Sequence, residues 1–338
     1  MKVLLSGYYG FRNIGDDAVC QAIIKGLKER HGDEIKTFSR RSLRELWDCD
    51  LFISGGGTLF QNATSPLSFY YYIGLVLLAK ILGKKVMILG QGFGPLKGWF
   101  ARAVARAILN RMDIITLRDQ ASYNELKELG INRPRIEVTA DPTLILPKGS
   151  DEKGKRILSL EGVPKEKLLI GIAARNLVKK DSQRLFKNIA RTLDWFTKTY
   201  NYHPVFIILQ SPPDLEAASD ILHEMHEKYS LVFRFCRPEE MLALVSQFDL
   251  LIGMRLHSLI FALINQVPML GISYDPKVTA FMDEIGQACL SIGQAEDYDT
   301  LKNEIEKVYR NKEAIKKDLE LKRKELSAKA AHNFDRLW

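Results

Sequence analysis

Cysteine is scarce in this chain, with four residues among 338, and no two of them form a CxxC pair. That spacing indicates neither a zinc site nor a redox pair, and scattered cysteines suggest a reducing compartment. Long hydrophobic runs are also missing, because the longest one, from Phe69 to Leu82, is too short to cross a bilayer. The first residues lack the apolar run of a signal peptide. We expect a cytoplasmic protein without bound metal, and we leave loose membrane contact open.

Internal repeats and low-complexity segments are absent, and the composition is ordinary for a soluble enzyme, with 46% hydrophobic and 27% charged residues. The length predicts two domains. Lysine and arginine outnumber acidic residues by 49 to 41, a net charge of +8 that suits an anionic substrate, an anionic membrane surface or a nucleic acid. The basic residues are spread out and no nucleic-acid-binding module is visible, so we expect no nucleic acid partner.

Short apolar runs alternate with longer amphipathic stretches, which predicts βαβ units around parallel sheets. The pattern lapses at residues 147–167, where charge and glycine predict a linker. We expect an α/β fold of two Rossmann-like domains, residues 1–150 and 151–295, that face each other across a cleft. Residues 296–338 predict one long helix, which would return to the N-terminal domain and pack its apolar stripe there.

Three glycine-rich loops follow predicted strands of the first half: GYYGFRNIGDDA at residues 7–18, SGGGTLFQN at 54–62 and GQGFGP at 90–95. None has the spacing of a dinucleotide or P-loop motif. All three follow predicted parallel strands, where open α/β sheets bind ligands. Asp16 and Asp17 would repel phosphate at a helix start, so the first loop favours sugar hydroxyls. The alternative is a tight turn with a helix cap.

Basic residues occupy the equivalent positions in the second half. Arg175 follows a predicted strand, and the segment GMRLHS brings Arg255 and His257 to a strand–helix junction. A buried arginine beside a histidine is costly without an anionic partner, and a guanidinium fork fits phosphate or carboxylate. Lys277, in SYDPKV, is a candidate phosphate contact. The alternatives are a surface ion pair for Arg175 and a satisfied structural pair for Arg255 and His257.

Taken in order, these motifs, with LRDQAS at residues 117–122 and ADP at 140–142, resemble the polysaccharide pyruvyl transferase family over about residues 1 to 285. The nearest likeness is to the CsaB-type enzymes of bacterial cell-wall polymer synthesis. The resemblance implies a GT-B-like fold. It also implies transfer of a pyruvyl group from phosphoenolpyruvate to two hydroxyls of one sugar, which forms a cyclic ketal and releases phosphate. CsaB-type members imply an N-acetylmannosamine acceptor on a lipid-linked precursor of secondary cell-wall polymers, which anchor S-layer proteins.

The family's donor-binding motifs map here onto Arg175, Arg255, His257 and Lys277. His257 or Lys277 could protonate the enol carbon, and Asp16 or Asp17 could accept a proton from the attacking hydroxyl. No redox cofactor or metal is required, since phosphoenolpyruvate is the donor substrate. The acceptor residues that we assign in the glycine-rich loops are Tyr9, Asn13, Asp16, Gly56, Gln61 and Gln91.

The main alternative is a GT-B glycosyltransferase that uses a nucleotide sugar, because its fold and its basic second half would be the same. A lipid-linked acceptor would bring the protein to the inner face of the membrane. The tyrosines within Phe69–Leu82 suit an interface, and Arg102 and Arg106 lie one turn apart on a basic helix. We therefore expect peripheral contact with anionic lipid. Nothing in the sequence indicates an oligomeric state.

Overall fold

The computed structural model describes residues 1–32, 34–38, 43–63, 65–177 and 179–335, and leaves aside the side chains of residues 43 and 179–182. Its contacts divide the chain into two compact units. Unit 1 contains Met1–Phe11, Asp16–Leu146 and the chain from Glu325 onward. Unit 2 contains Arg12–Gly15 and Pro147–Lys324.

Unit 1 is built on a parallel six-stranded sheet of order β2-β1-β3-β4-β5-β6. Its central strands are apolar and buried, as expected for a parallel sheet covered by helices. The strands are β1 (Lys2–Ser6), β2 (Glu34–Thr37), β3 (Leu51–Gly55), β4 (Lys85–Gln91), β5 (Ile114–Leu117) and β6 (Arg135–Val138). The helices are α1 (Ile14–His31), α2 (Leu43–Asp48), α3 (Pro66–Ile81), α4 (Trp99–Leu109) and α5 (Gln120–Glu128).

Unit 2 repeats this plan with a parallel sheet of order β12-β11-β10-β7-β8-β9. Both units are thus doubly wound α/β folds, which confirms the predicted pair of Rossmann-like domains. The strands are β7 (Leu168–Ala173), β8 (Tyr202–Ile207), β9 (Ser230–Val232), β10 (Leu250–Gly253), β11 (Met269–Ser273) and β12 (Cys289–Ser291). The helices are α6 (Asp151–Leu160), α7 (Lys179–Tyr200), α8 (Pro213–Glu224), α9 (Pro238–Val245), α10 (Leu256–Asn265), α11 (Pro276–Glu284), α12 (Ile292–Ala295) and α13 (Tyr298–Arg310).

The predicted linker at residues 147–167 is wrong, because α6 lies within it and packs on α9. Its glycines allow the backbone of this segment to pack closely against the backbone of α9, instead of making the segment flexible. A Cβ on Gly149 would lie 2.2 Å from the carbonyl oxygen of Leu242, and one on Gly154 would lie 2.2 Å from that of Ala243. Glycine is needed where two backbones approach this closely.

The long C-terminal helix that the sequence predicts is interrupted at Asn311, so that α13 is followed by a separate helix α14 (Lys312–Ala331). From Glu325 onward the described chain belongs to unit 1, which confirms the predicted return. Phe334 packs in the core of that unit, and the side-chain oxygen of Asn333 accepts hydrogen bonds from Thr116 at 2.6 Å and from Thr139 at 2.8 Å. Buried polar groups of this kind hold the terminus in one place.

The stretch Phe69–Leu82 contributes largely to the core, so only some of its tyrosines can serve the membrane interface that the sequence predicts. Helix α3 buries six side chains, among them Tyr72, while Tyr70 and Tyr71 stay exposed. Among the helices that the structure describes, none is long and apolar enough to span a membrane.

Candidate functional site

The strand order of unit 2 places a topological switch point between β7 and β10. The chain runs outward from β7 through β8 and β9 and then crosses back to β10 on the other side of β7, and ligands bind at the carboxyl ends of strands at such a point. Arg175 follows β7, Arg255 follows β10, and Lys277 follows the next strand, β11. Because adjacent strands are about 4.8 Å apart, the sheet gathers at one edge three cations that are far apart in sequence.

Arg255 is buried and forms an ion pair inside the protein. Its Nε donates a hydrogen bond of 2.8 Å to Oδ1 of Asp214, and its Nη2 donates to the same oxygen. The other oxygen of that carboxylate accepts the backbone N–H groups of Leu209 at 3.1 Å and Gln210 at 2.8 Å. Burial raises the pKa of Asp214, and the neighbouring guanidinium of Arg255 opposes that shift.

This pairing corrects part of the argument from sequence. The cost of burying Arg255 is offset by Asp214, so the arginine does not need a bound anion to be stable there. No motif in the sequence marked Asp214. The available signal was its place near the start of a helix that follows a strand of the same sheet.

His257 lies in the first turn of α10, and its ring packs on Gly15. A Cβ on Gly15 would lie 2.2 Å from Nδ1 of His257, so any larger residue there would displace the ring. The segment Arg12–Gly15 is also tied to Leu209 and Gln210, since Ile14 donates its N–H to the oxygen of Leu209 at 2.9 Å and Asn13 forms a bridge with Gln210. Asn13 therefore groups with unit 2, which differs from its predicted place in the N-terminal domain.

The other two cations of this edge have different surroundings. The guanidinium carbon of Arg175 lies 5.0 Å from the ring centroid of Tyr274, a cation–π distance. Nζ of Lys277 lies 3.0 Å from Oδ2 of Asp275, which also caps α11. Arg175 is thus oriented by an aromatic ring, and Lys277 by a carboxylate.

Unit 1 has its own switch point, between β1 and β3. The loop after β1 crosses this point, where the hydroxyl of Tyr9 donates to the oxygen of Gly55 at 2.5 Å. Burial raises the pKa of Tyr9 well above its ordinary value, and Cys20 and Asp16 add to the shift, so its hydroxyl stays protonated. Oδ1 of Asp17 accepts the N–H of Gly10 at 2.7 Å. The predicted alternative of a structural turn therefore describes part of this loop.

The remaining predicted acceptor residues lie on the loops after β3 and β4. Gly56 and Gly57 both have positive φ angles, of 65° and 67°, which favour glycine. A Cβ on Gly57 would lie 2.9 Å from Oδ1 of Asp16, so this carboxylate reaches the glycine loop. Gln61 follows Phe60, which forms a bridge with the β4 loop.

Gln91 is fully buried at the end of β4, where its Nε2 donates to Ser54 at 2.9 Å. Within the part of the chain that the structure describes, its Oε1 has no hydrogen-bond partner. Buried polar atoms are rarely left in this state. A hydroxyl group or a water molecule near this edge of the sheet would satisfy it.

Arg118 is a second residue that the sequence analysis did not single out as part of a site. It is buried just after β5, with Nη1 3.4 Å from Asp141 and Nη2 donating to Thr58 at 3.1 Å. Its Nη2 would lie 2.7 Å from a Cβ on Gly92. The LRDQAS and ADP motifs thus meet the second and third glycine-rich loops. Across the described ranges, no group of three or more metal-binding side chains occurs.

A family model described as polysaccharide pyruvyl transferase matches residues 13–276. The amylovoran biosynthesis protein AmsJ of Erwinia amylovora is 25% identical over 257 residues, which cover 72% of this chain and 61% of that protein. The chain thus matches less than two thirds of the length of that relative.

Two solved structures share the fold at low identity. HepE of Anabaena, in complex with UDP and glucose, has a TM-score of 0.65 at 12% identity over 98% of this chain and 97% of its own. MnaA of S. aureus, in complex with UDP, has a TM-score of 0.64 at 12% identity over 94% of this chain and 90% of its own. The fold is therefore of the GT-B type. Because the family model covers most of the chain, the protein belongs to the polysaccharide pyruvyl transferase family, a family of transferases.

Proposed function

We propose that this protein transfers the pyruvyl group of phosphoenolpyruvate to two hydroxyls of one sugar in a polysaccharide or its precursor. The observation that carries the proposal is the cluster of basic residues at the carboxyl ends of three adjacent strands of unit 2. These residues are Arg175, Arg255, His257 and Lys277. Phosphoenolpyruvate has a phosphate and a carboxylate on the same carbon. Two arginines and a lysine on neighbouring strands match that charge.

The reaction needs one proton donor and one proton acceptor. Protonation of the methylene carbon by His257 or Lys277 makes the adjacent carbon electrophilic. One sugar hydroxyl attacks that carbon and loses its proton to a base, for which Asp16 or Asp17 is our candidate. The bond to phosphate breaks, and the second hydroxyl closes the ketal while its proton leaves with the released phosphate. Two C–O bonds and one C–H bond form, one C–O bond and the C=C π bond break, and there is no net oxidation or reduction.

The acceptor is proposed at two levels. The family and the role of AmsJ in amylovoran biosynthesis support a saccharide acceptor. The finer proposal, a CsaB-type acceptor in which N-acetylmannosamine is carried by a lipid-linked cell-wall precursor that later anchors S-layer proteins, rests on the motif likeness. Tyr9, Asp16, Gly56 and Gln91 supply hydroxyl, carboxylate, backbone and amide groups suited to sugar hydroxyls.

Peripheral contact with the inner face of the membrane is part of the same proposal. Leu67, Tyr70, Trp99 and Phe100 form an exposed patch on α3 and α4, in which Trp99 is 80% exposed and the rings of Tyr70 and Phe100 are 6.3 Å apart. Residues 51–112 contain seven lysines and arginines and no acidic residue. Aromatic rings beside positive charge suit an anionic lipid surface.

The reaction is tested by incubating the protein with phosphoenolpyruvate and an N-acetylmannosamine glycoside. We expect phosphate release and a product whose mass has increased by one pyruvyl ketal. A parallel incubation with UDP-glucose tests the GT-B glycosyltransferase alternative. Sugar transfer from UDP-glucose, without phosphate release from phosphoenolpyruvate, would overturn the proposal.

A further inference from the structure

The carboxylate of Asp214 uses its two oxygens for two different tasks. Oδ1 accepts two hydrogen bonds from Arg255, and Oδ2 accepts the backbone N–H groups of Leu209 and Gln210. The carboxylate is completely buried, so water does not compete for these bonds. Asp214 is consequently fixed to the backbone of the β8–α8 connection and has little freedom to rotate.

This geometry determines which edge of the Arg255 guanidinium remains available. Nε and one hydrogen of Nη2 point to Asp214. A guanidinium has five N–H groups, and no other described atom accepts a hydrogen bond from this one. Three hydrogens therefore remain, and two of them, one on Nη1 and one on Nη2, have the parallel arrangement that binds a carboxylate or a phosphate through two oxygens.

We propose that Asp214 is a positioning residue that presents the Nη1–Nη2 edge of Arg255 to the phosphate or carboxylate of phosphoenolpyruvate. The inference rests on the proposed function and deepens it. A long arginine side chain has many rotamers, and a fixed carboxylate behind it selects one before the donor arrives. Asp214 does not touch the donor in this proposal.

The sign of one substitution distinguishes positioning from charge balance. Asp214→Asn removes a negative charge near the donor site, so a carboxylate that only balances charge would leave the variant with tighter donor binding. A positioning carboxylate predicts weaker binding, because a single amide oxygen cannot serve both Arg255 and the two backbone N–H groups.

The chain provides a matched control in Asp194. This buried aspartate also accepts backbone N–H groups, those of His226 at 3.0 Å and Glu227 at 2.9 Å, and none of the described cations forms an ion pair with it. Asp194→Asn therefore reproduces the loss of a buried carboxylate without affecting an arginine. We expect it to leave the affinity for phosphoenolpyruvate unchanged.

Calorimetric titration with phosphoenolpyruvate tests the proposal on the full-length protein. We expect Asp214→Asn to weaken binding by about ten- to a hundredfold, by analogy with the loss caused when a residue that orients a metal ligand is replaced. The donor KM should rise to match, and the acceptor KM should change little. Unchanged or tighter binding by a folded Asp214→Asn variant would overturn it. If the unmodified protein does not bind phosphoenolpyruvate, the proposed function itself fails.

Two further measurements cover the case in which Asp214→Asn does not fold. Asp214→Glu keeps the charge but displaces the carboxylate by one methylene. A positioning role therefore predicts weaker donor binding, whereas a role in charge balance alone predicts unchanged donor binding. In the unmodified protein, the Nε–H proton of Arg255, assigned with Arg255→Lys, should exchange slowly with solvent before phosphoenolpyruvate is added. Unchanged binding by Asp214→Glu, or fast exchange of that proton, would contradict the proposal.

Discussion

Replacing Arg255 with alanine is expected to destabilise the protein in addition to weakening donor binding. The guanidinium is the ion-pair partner of Asp214, whose carboxylate is fully buried. Without Arg255, that carboxylate would keep its burial and lose its counter-charge. Removal of one partner of a buried ion pair typically costs about 3–5 kcal/mol of folding free energy.

The structure places the expected loss at the low end of this range. Oδ2 of Asp214 retains the N–H groups of Leu209 and Gln210 in the variant, and such bonds stabilise a carboxylate. We therefore expect a loss of about 3 kcal/mol at neutral pH. Arg175→Ala is the matched control, because Arg175 contacts the ring of Tyr274 and has no carboxylate partner among the described residues. That change should cost about 1 kcal/mol or less.

The loss in Arg255→Ala should shrink as the pH falls. Burial already raises the pKa of Asp214, and Arg255 opposes this shift. The variant lacks that opposition, so its folded state takes up a proton on Asp214 at a higher pH than the unfolded chain does. Its stability relative to the unmodified protein therefore improves on going from neutral pH toward pH 5. Urea unfolding at both pH values measures this, and a stable variant at pH 7, or a loss independent of pH, would refute the reasoning.

Two other substitutions test the remaining proposals. Asp16→Asn should lower turnover by about a hundredfold or more without changing donor affinity, as expected for loss of a general base. Asp17→Asn should have a smaller effect because Asp17 holds the loop through Gly10, and full activity in both variants would leave these acids as structural residues. Trp99→Ala with Phe100→Ala should reduce salt-sensitive sedimentation with anionic vesicles, whereas Phe233→Ala with Phe235→Ala, at exposed aromatics of unit 2, should not. Absence of binding at low salt, or equal loss in both pairs, would contradict the membrane proposal.

The doubly wound fold could be predicted because apolar runs and amphipathic stretches alternate along most of the chain. The linker prediction failed because glycine occurs both in flexible linkers and where two backbones pack closely together. Gly149 and Gly154 permit contact between backbones, and a sequence does not show which backbone will approach. The break at Asn311 was missed because the apolar stripe continues through both C-terminal helices.

The candidate site could be predicted only in part. The sequence placed Arg175, Arg255 and Lys277 each after a predicted strand, and the structure adds that these three strands are neighbours in the sheet. Asp214 lies in no motif, and Arg118 lies in LRDQAS, a motif to which the sequence analysis gave no site role. The importance of both residues depends on what they pair with. The partner of a buried charge is set by tertiary structure, and for Arg255 that partner, Asp214, lies 41 residues away in the sequence.

The ion pairs also determine how the cations of unit 2 share the work of binding a donor. Arg255 is neutralised by Asp214, and Lys277 lies beside Asp275. Such pairs still donate directed hydrogen bonds, but they add little net positive charge at long range. Arg175 is the cation of this set without a carboxylate partner in the described ranges, since its contact is the ring of Tyr274. If phosphoenolpyruvate is the donor, its attraction depends mainly on Arg175, and its orientation depends on Arg255 as fixed by Asp214.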